Sequence, residues 1–462
     1  MDKLIKNGTL VLPQGQKKAD MLIRGEKIEI IGFDLEYDPA RTEVADAEGC
    51  LVFPGFIDTH THFQLDNGKF VSPDDFGGGS KAAILGGTTT VLDFATQNRG
   101  ETLAQGLANW HAMAEGQTSC DYGFHMAVSD WNPEVSREIK DMVEAGVTSF
   151  KVYMAYDALR LRDQDIFALM SRINEFGGIL GAHCENGDLI NSLISRLRSQ
   201  NRIRAAYHPF ARPAEVEAEA VNRFLTIAKL AGAPAYVVHL STAKGLAIIE
   251  RARTNGQEVY AETCPQYLLL DESRYKIPEP RNAVYILSPP LRAKDDQEAL
   301  WRAVKNGVID TIGTDHCSFN LEGQKDVNLH DFTQIPNGIP GVEHRAALIF
   351  TDGVTEGRIS AETMAALLAE NPAKLFGLYP RKGVLAEGSD ADVVIWNPDR
   401  LGVISAATQA HGVDNTPYEG FSIIGGIRRV YLRGELVADE NGMVKVGAGR
   451  YLKRGPSLKL RT

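Results

Sequence analysis

The stretch Phe53-Pro54-Gly55-Phe56-Ile57-Asp58-Thr59-His60-Thr61-His62 ends an apolar run on two histidines one residue apart. Side chains two apart in an extended segment point the same way, so His60 and His62 can grip one ion together. Neutral imidazoles suit zinc and similar transition ions, and a carboxylate can complete the set. More residues of that kind stand at the ends of other apolar stretches: Lys151, His183, His239 and Asp315. A His-x-His pair alone is a weak signal. The same pair with histidines closing two further strands and an aspartate closing another is a strong one. Lys151 is the odd member, because an ammonium, with a pKa of about 10.4 in water, repels cations. It is either a salt-bridged or snorkelling side chain, or a neutral amine that adds CO2. The resulting carbamate is anionic and has two oxygens with which to bridge two metal ions. His111, His125, His208, His330, His344 and His411 are read as packed or surface residues. His316, beside Asp315, is placed to support a ligand.

These residues need a scaffold that brings strand ends together. Between 54 and 379, short apolar strands alternate with longer helical stretches. Eight strands are expected, at 52–60, 88–95, 122–128, 148–154, 178–183, 235–241, 257–263 and 309–315. Residues 212–232 give the clearest helix, with Pro213 suited to its first turn and Gly232 to its stop. Eight alternating units predict a TIM (β/α)8 barrel, whose chemistry sits at the C-terminal strand ends. The chain ends differ in texture. Residues 19–32 and 427–444 each alternate around an Arg-Gly-Glu turn and read as hairpins, and 390–398 reads as another strand. The expected organisation is a β-sandwich domain from both ends, 1–53 plus 380–462, around a catalytic barrel at 54–379. The Gly-rich segment 74–80 has no phosphate-loop pattern and is expected to be a flexible connection.

Composition narrows the function. With 44% hydrophobic and 24% charged residues, the 462-residue chain is an ordinary globular protein. A net charge of −11 with no long basic run argues against a nucleic-acid surface. No segment has the apolar length of a membrane span, and the first residues lack a signal-peptide core. The five cysteines are scattered and never form a CxxC pair, which fits free thiols in a reducing cytoplasm.

Several motifs together carry a family resemblance: "GFIDTHTH", "GVTSFKVYMAY" (146–156), "GAHCENGD" (181–188), "YVVHLS" (236–241), "AETCPQYL" (261–268), "LSPPLR" (287–292), "GTDHCSFN" (313–320) and "IPNGIPGVEHR" (335–345). They resemble the hydantoinase/dihydropyrimidinase family of the amidohydrolase superfamily across nearly the whole chain. His-x-His marks the superfamily, whereas "SFKVYMAY" and "IPNGIPGVE" mark this branch. The resemblance implies two divalent metal ions, zinc in the family, bridged by carboxylated Lys151 and a hydroxide. His60, His62 and Asp315 would hold the first ion, and His183 and His239 the second. Asp315 would move the proton, Tyr156 would donate to the oxyanion, and Tyr156, Ser288 and Asn337 would bind the ureide. The implied assembly is a homotetramer.

The implied reaction is ring opening of a 5-substituted hydantoin or dihydropyrimidine to an N-carbamoyl amino acid by the metal-bridging hydroxide. One rival is another cyclic amidohydrolase, such as an allantoinase or dihydroorotase. The other is a metal-free scaffold related to dihydropyrimidinase, which the full set of candidate ligands disfavours. Dihydroorotases carry an arginine two residues after His-x-His to pair with the substrate carboxylate. Here that position is Gln64, followed by Leu65-Asp66-Asn67. Arg292 is the arginine that could stand in. Phe63, Leu65 and Phe70 in the first loop, with Tyr153, Tyr156 and Leu159 in the fourth, either gate the ring substituent or pack against one another.

Overall fold

The computed structural model describes residues 1–461 and gathers the alternating middle of the chain into one eight-stranded parallel sheet. Its strands are β1 (Phe56–Thr61), β2 (Thr88–Thr96), β3 (Asp121–Ala127), β4 (Ser149–Tyr153), β5 (Ile179–His183), β6 (Ala235–Val237), β7 (Val259–Thr263) and β8 (Thr311–Ile312). Sequence neighbours are sheet neighbours throughout. The strands are almost wholly buried, as befits a parallel sheet covered by helices. Beyond β8 the chain turns back onto β1. Thr61 bridges His316, and the His62 amide donates to the His316 carbonyl at 2.8 Å. Arg345 staples the same seam. Its guanidinium donates to the carbonyls of Ile57 and Ile312, each at 2.9 Å, and to the Thr88 hydroxyl at 3.0 Å. The result is the TIM barrel that the alternation predicts.

Three local expectations are corrected. The run 52–60 is not one strand. Leu51–Pro54 belongs to another sheet, and β1 starts after Gly55. Glycine is required at the break, because a Cβ at Gly55 would sit 2.1 Å from the Thr89 hydroxyl oxygen. β6 and β8 stop at Val237 and Ile312, so His239 and Asp315 stand on loops just past their strands. Residues 74–80 are not a flexible connection but the start of a helix, Phe76–Leu85, capped by Asp75 through the Gly78 amide at 2.6 Å. Its glycines serve close packing. A Cβ at Gly79 would lie 2.3 Å from the Phe63 ring.

Capping fixes the turns after β5 and β6. Asn186 accepts from Leu189 N at 3.1 Å and starts the helix Gly187–Ser199. Thr242 accepts from Gly245 N at 3.0 Å and starts Ala243–Thr254. Each such cap is worth about 1 kcal/mol, and each leaves only a few residues between a candidate histidine and a rigid helix. The expected long helix is Ala214–Ala231, with Pro213 immediately before it and Gly232 stopping it in the left-handed region at φ 63°.

The chain ends form two further sheets. One has four strands: Lys27–Gly32, Asp20–Arg24, Asp2–Lys6 and Thr42–Asp46. The other has seven and pairs early with late sequence, Leu51–Pro54 running antiparallel to Val393–Val403. Ile5, Met21, Val52, Val393, Ile395 and Tyr431 belong to one buried apolar cluster spanning both sheets. From there the chain crosses the N-terminal ends of the barrel strands. Tyr451 bridges Tyr122 at the start of β3, and Leu452 N donates to the Tyr122 carbonyl at 2.7 Å. Arg454 is buried there, donating to the Ser149 hydroxyl at 2.8 Å and to the Phe124 carbonyl.

Candidate metal centre

At the C-terminal mouth of the barrel, the Nε2 atoms of His60 and His62 stand 3.1 and 3.2 Å from the same oxygen, Oδ1 of Asp315. These three residues form one compact donor group. A second group adjoins it. His183 Nδ1 lies 3.0 Å from His239 Nε2, and the ring centroids of His60 and His239 are 5.4 Å apart. Lys151 reaches the same space from β4. It is 1% exposed, and its Nζ lies 4.7 Å from the centre of the Phe94 ring. That ring also packs against His60 and His62, at 4.6 and 4.9 Å. All six residues that the sequence singles out for metal binding therefore meet in one pocket.

The backbone is bent to bring them there. Tyr156, His239 and Asp315 all adopt left-handed φ values, 67°, 39° and 52°. For residues other than glycine such a conformation costs about 1–3 kcal/mol, and it clusters at functional sites.

The electrostatics call for positive charge between the ligand atoms. Burial opposes ionisation of Asp315, yet His60, His62 and His239 around it hold its carboxyl well below the usual range. Burial alone would lower His60, but Glu262 and Asp315 on either side raise it to about 9. Burial lowers His62 and His183 and holds His239 well below its usual value, which favours the neutral imidazole a metal needs. The buried His60 Nε2 and His239 Nδ1 have no aligned hydrogen-bond partner. Burial also pushes the Lys151 amine down to about 8, so a minor neutral fraction exists near neutral pH. Four imidazoles, a carboxylate and this lysine fit a divalent metal centre.

Residues not singled out from the sequence hold these side chains in place. Glu262 on β7 accepts from His60 Nδ1 at 2.6 Å, Thr59 Oγ1 at 2.8 Å, Tyr236 OH at 2.9 Å and His239 N at 3.1 Å. An acid inside an otherwise apolar strand was the available signal. Glu185, two residues past His183, faces His183 Nε2 at 2.8 Å and is ion-paired to Arg212. Such outer contacts fix the tautomer and direction of a ligating ring. The His316 ring touches no candidate ligand and ties loops together instead: its Nε2 meets Asp74 at 3.1 Å and its Nδ1 accepts from Gly341 N at 3.1 Å.

Tyr156 lies beside this pocket, its ring 5.1 Å from His183. Burial raises its phenol pKa, while the neighbouring Arg212 guanidinium, 5.3 Å from the ring centre, opposes the shift. The hydroxyl is therefore a donor at neutral pH. Ser288 and Asn337 meet across the mouth, with Ser288 Oγ donating to Asn337 Oδ1 at 3.1 Å. Of the two readings open for the loop residues, packing holds for Phe63. Phe63 is 1% exposed and packs on Phe76 and His316 at 5.7 and 5.4 Å. Leu65, Phe70, Tyr153, Tyr156 and Leu159 remain half-buried. Arg292 is engaged through two of its three guanidinium nitrogens, and its Nη2 has no hydrogen-bond partner. It is buried, bonded to the Ser241 hydroxyl at 3.0 Å and to the Arg212 carbonyl.

The amidohydrolase family model matches residues 51–437. D-hydantoinase of Geobacillus stearothermophilus is 44% identical over 457 residues, 98% of this chain and 97% of its own. D-phenylhydantoinase of Escherichia coli O81 is 41% identical over 459 residues, 99% of each chain. The crystal structure of dihydropyrimidinase from Brevibacillus agri superposes with a TM-score of 0.97 at 43% identity, covering 99% of both chains.

Proposed function

The chain belongs to the hydantoinase/dihydropyrimidinase family of the amidohydrolase superfamily, and on that premise we propose that it hydrolyses 5-substituted hydantoins or dihydropyrimidines to N-carbamoyl amino acids. The carrying observation is the convergence of His60 and His62 on one Asp315 oxygen, with His183, His239 and Lys151 around the same pocket. The names of the relatives, D-hydantoinase and D-phenylhydantoinase, support a D-configured substrate with a bulky 5-substituent.

In this reading two divalent ions, zinc by donor type, would be held by His60, His62, Asp315, His183, His239 and the carbamate of Lys151. Burial lowers the pKa of this amine to about 8, and its neutral fraction is the form that adds CO2. When bound, such ions lower the pKa of water from about 15.7 to about 7 and polarise a carbonyl. The protein's own groups do the rest. Asp315 accepts the proton of the attacking water and delivers it to the ring nitrogen as the carbon–nitrogen bond breaks. The Tyr156 hydroxyl donates to the carbonyl oxygen as it gains charge, a contribution of roughly 3 to 4 kcal/mol. Glu262 and Glu185 keep His60 and His183 aimed. Ser288 and Asn337 bind the ureide, largely through main-chain groups, and the half-buried loop residues around Leu65 and Leu159 face its substituent. The two-ended β-sandwich supports the barrel, and the assembly is a homotetramer. Among the described residues no helix is long and apolar enough to cross a membrane. Five buried free cysteines support a reducing cytoplasm.

A turnover panel of 5-substituted hydantoins, dihydrouracil, allantoin and dihydroorotate tests the assignment. Neutral cyclic ureides should lead by orders of magnitude in kcat/KM. Dihydroorotate should be poor, because Gln64 stands where an arginine would pair its carboxylate and Arg292 is buried with two of its three guanidinium nitrogens engaged. Efficient turnover of dihydroorotate would overturn the substrate assignment and leave the metal site standing.

A further inference from the structure

Lys325 is a buried lysine whose hydrogen-bond partners include no acid. It is 0% exposed, and its Nζ bonds two main-chain carbonyls, Ile286 at 2.9 Å and Pro336 at 3.0 Å. Burial pushes its amine down to about 7, opposed only by the facing Cys317 thiol. A buried cation held by neutral acceptors is costly. A methionine would fill similar volume without that cost.

What the lysine holds gives it a purpose. Ile286 is two residues before Ser288, and Pro336 is one before Asn337. The two segments are distant in sequence and meet at the mouth of the barrel. Gly338 N donates to the Ile286 carbonyl at 3.0 Å, and Ser288 Oγ donates to Asn337 Oδ1 at 3.1 Å. His208 fixes the intervening Leu287 carbonyl at 2.8 Å. Lys325 arrives from a third segment, the loop that follows Asp315, and bonds both sides of the junction at once.

We propose that Lys325 is a positioning residue for substrate: by joining the Ile286 and Pro336 carbonyls, it sets the spacing of the segments that carry Ser288 and Asn337 to fit a cyclic ureide. The inference rests on the assignment of Ser288 and Asn337 to ureide binding. Lys325 acts through the main chain, so its loss should weaken binding and spare the chemical step.

The test is Lys325→Met in the metal-loaded enzyme, with Lys325→Gln as a second variant should the first fail to fold. Dihydrouracil kinetics, metal content, thermal midpoint and hydrogen exchange at the Gly338 amide are measured together. The expected result is a KM raised about tenfold, the equivalent of one net hydrogen bond, with a much smaller change in kcat. Gly338 should exchange faster, with metal content and thermal midpoint not reduced. Unmoved KM with unmoved exchange overturns the role of Lys325 and leaves Ser288 and Asn337 as they stand. Faster exchange with unmoved KM overturns the ureide assignment of those two segments, and this inference with it. Lost metal or stability with kcat falling in parallel marks the lysine as purely structural and also overturns the proposal.

Discussion

His60 Nδ1 lies 2.6 Å from Glu262 Oε1, and that contact decides which ring nitrogen faces Asp315. With Nδ1 engaged, Nε2 is the atom left to bind a metal. Glu262→Ala should therefore weaken metal affinity by about 10- to 100-fold, read by chelator competition on the purified protein. Glu262→Gln retains an acceptor and should lose less. Equal affinities in all three proteins would remove Glu262 from the account of the site.

Lys151→Ala should lose most of its bound metal and activity, and short carboxylic acids added to the buffer should restore part of both. The basis is a buried lysine set against Phe94 among four histidines. Full metal occupancy with near-normal turnover in the alanine variant would sink the carbamate bridge.

Tyr156→Phe should lower kcat by about 10²-fold or more while metal content stays intact, the signature of one lost oxyanion donor. A raised KM at parental kcat would assign the hydroxyl to uniform binding instead.

Phe63 and Leu65 should behave differently although they are neighbours in one loop. Phe63 is core, so Phe63→Ala should cost about 3–5 kcal/mol of stability and leave substrate preference alone. Leu65 is half-buried, and Leu65→Ala should shift the kcat/KM ratio between bulky and small 5-substituents by about 1–3 kcal/mol. Denaturant titration and a two-substrate comparison separate the cases. A specificity shift from Phe63→Ala at full stability would contradict its packing.

Stability should depend on pH through Glu343. Burial, then Asp74, pushes its carboxyl from 4.5 up to about 7, while it accepts from Ala410 N at 2.6 Å. The folded chain thus keeps a proton that the unfolded chain has already released. The advantage is complete below the unfolded value and is lost as pH rises through the folded one. Glu343→Gln keeps an acceptor and cannot ionise. Its thermal midpoint should gain on the parent between about pH 5 and about pH 8. Parallel curves for the two proteins would refute this.

The barrel was legible because its strands are apolar runs at even spacing, and the candidate ligands could be picked out because they punctuate the ends of those runs. His60, Lys151 and His183 lie within their strands as read, whereas His239 and Asp315 stand beyond theirs. Sequence pattern gave no warning of that, since a left-handed φ at a histidine or aspartate leaves no mark on hydrophobic periodicity. Glu262, Glu185, Arg345 and Lys325 escaped for a related reason. Their significance lies in partners far along the chain, such as Glu262 with His60 and Arg345 with Ile57. The Gly-rich 74–80 misled because glycine there answers to the Phe63 ring and not to mobility.

The buried Arg454 also imposes an order in time. It reaches the Ser149 hydroxyl, which meets His125 Nδ1 at 2.6 Å, and His125 Nε2 in turn meets the carbonyl of Thr59, the residue before His60. A ribosome makes this segment after every strand it seals, and domains assemble from the N-terminus during synthesis. A nascent chain can therefore carry all its metal ligands, and even the seam that Arg345 staples, while the floor beneath Lys151 and His60 is still open. Closure of the pocket floor therefore depends on a residue far beyond Asp315 in the chain, and a chain truncated before residue 454 would bear every candidate ligand over an unsealed floor.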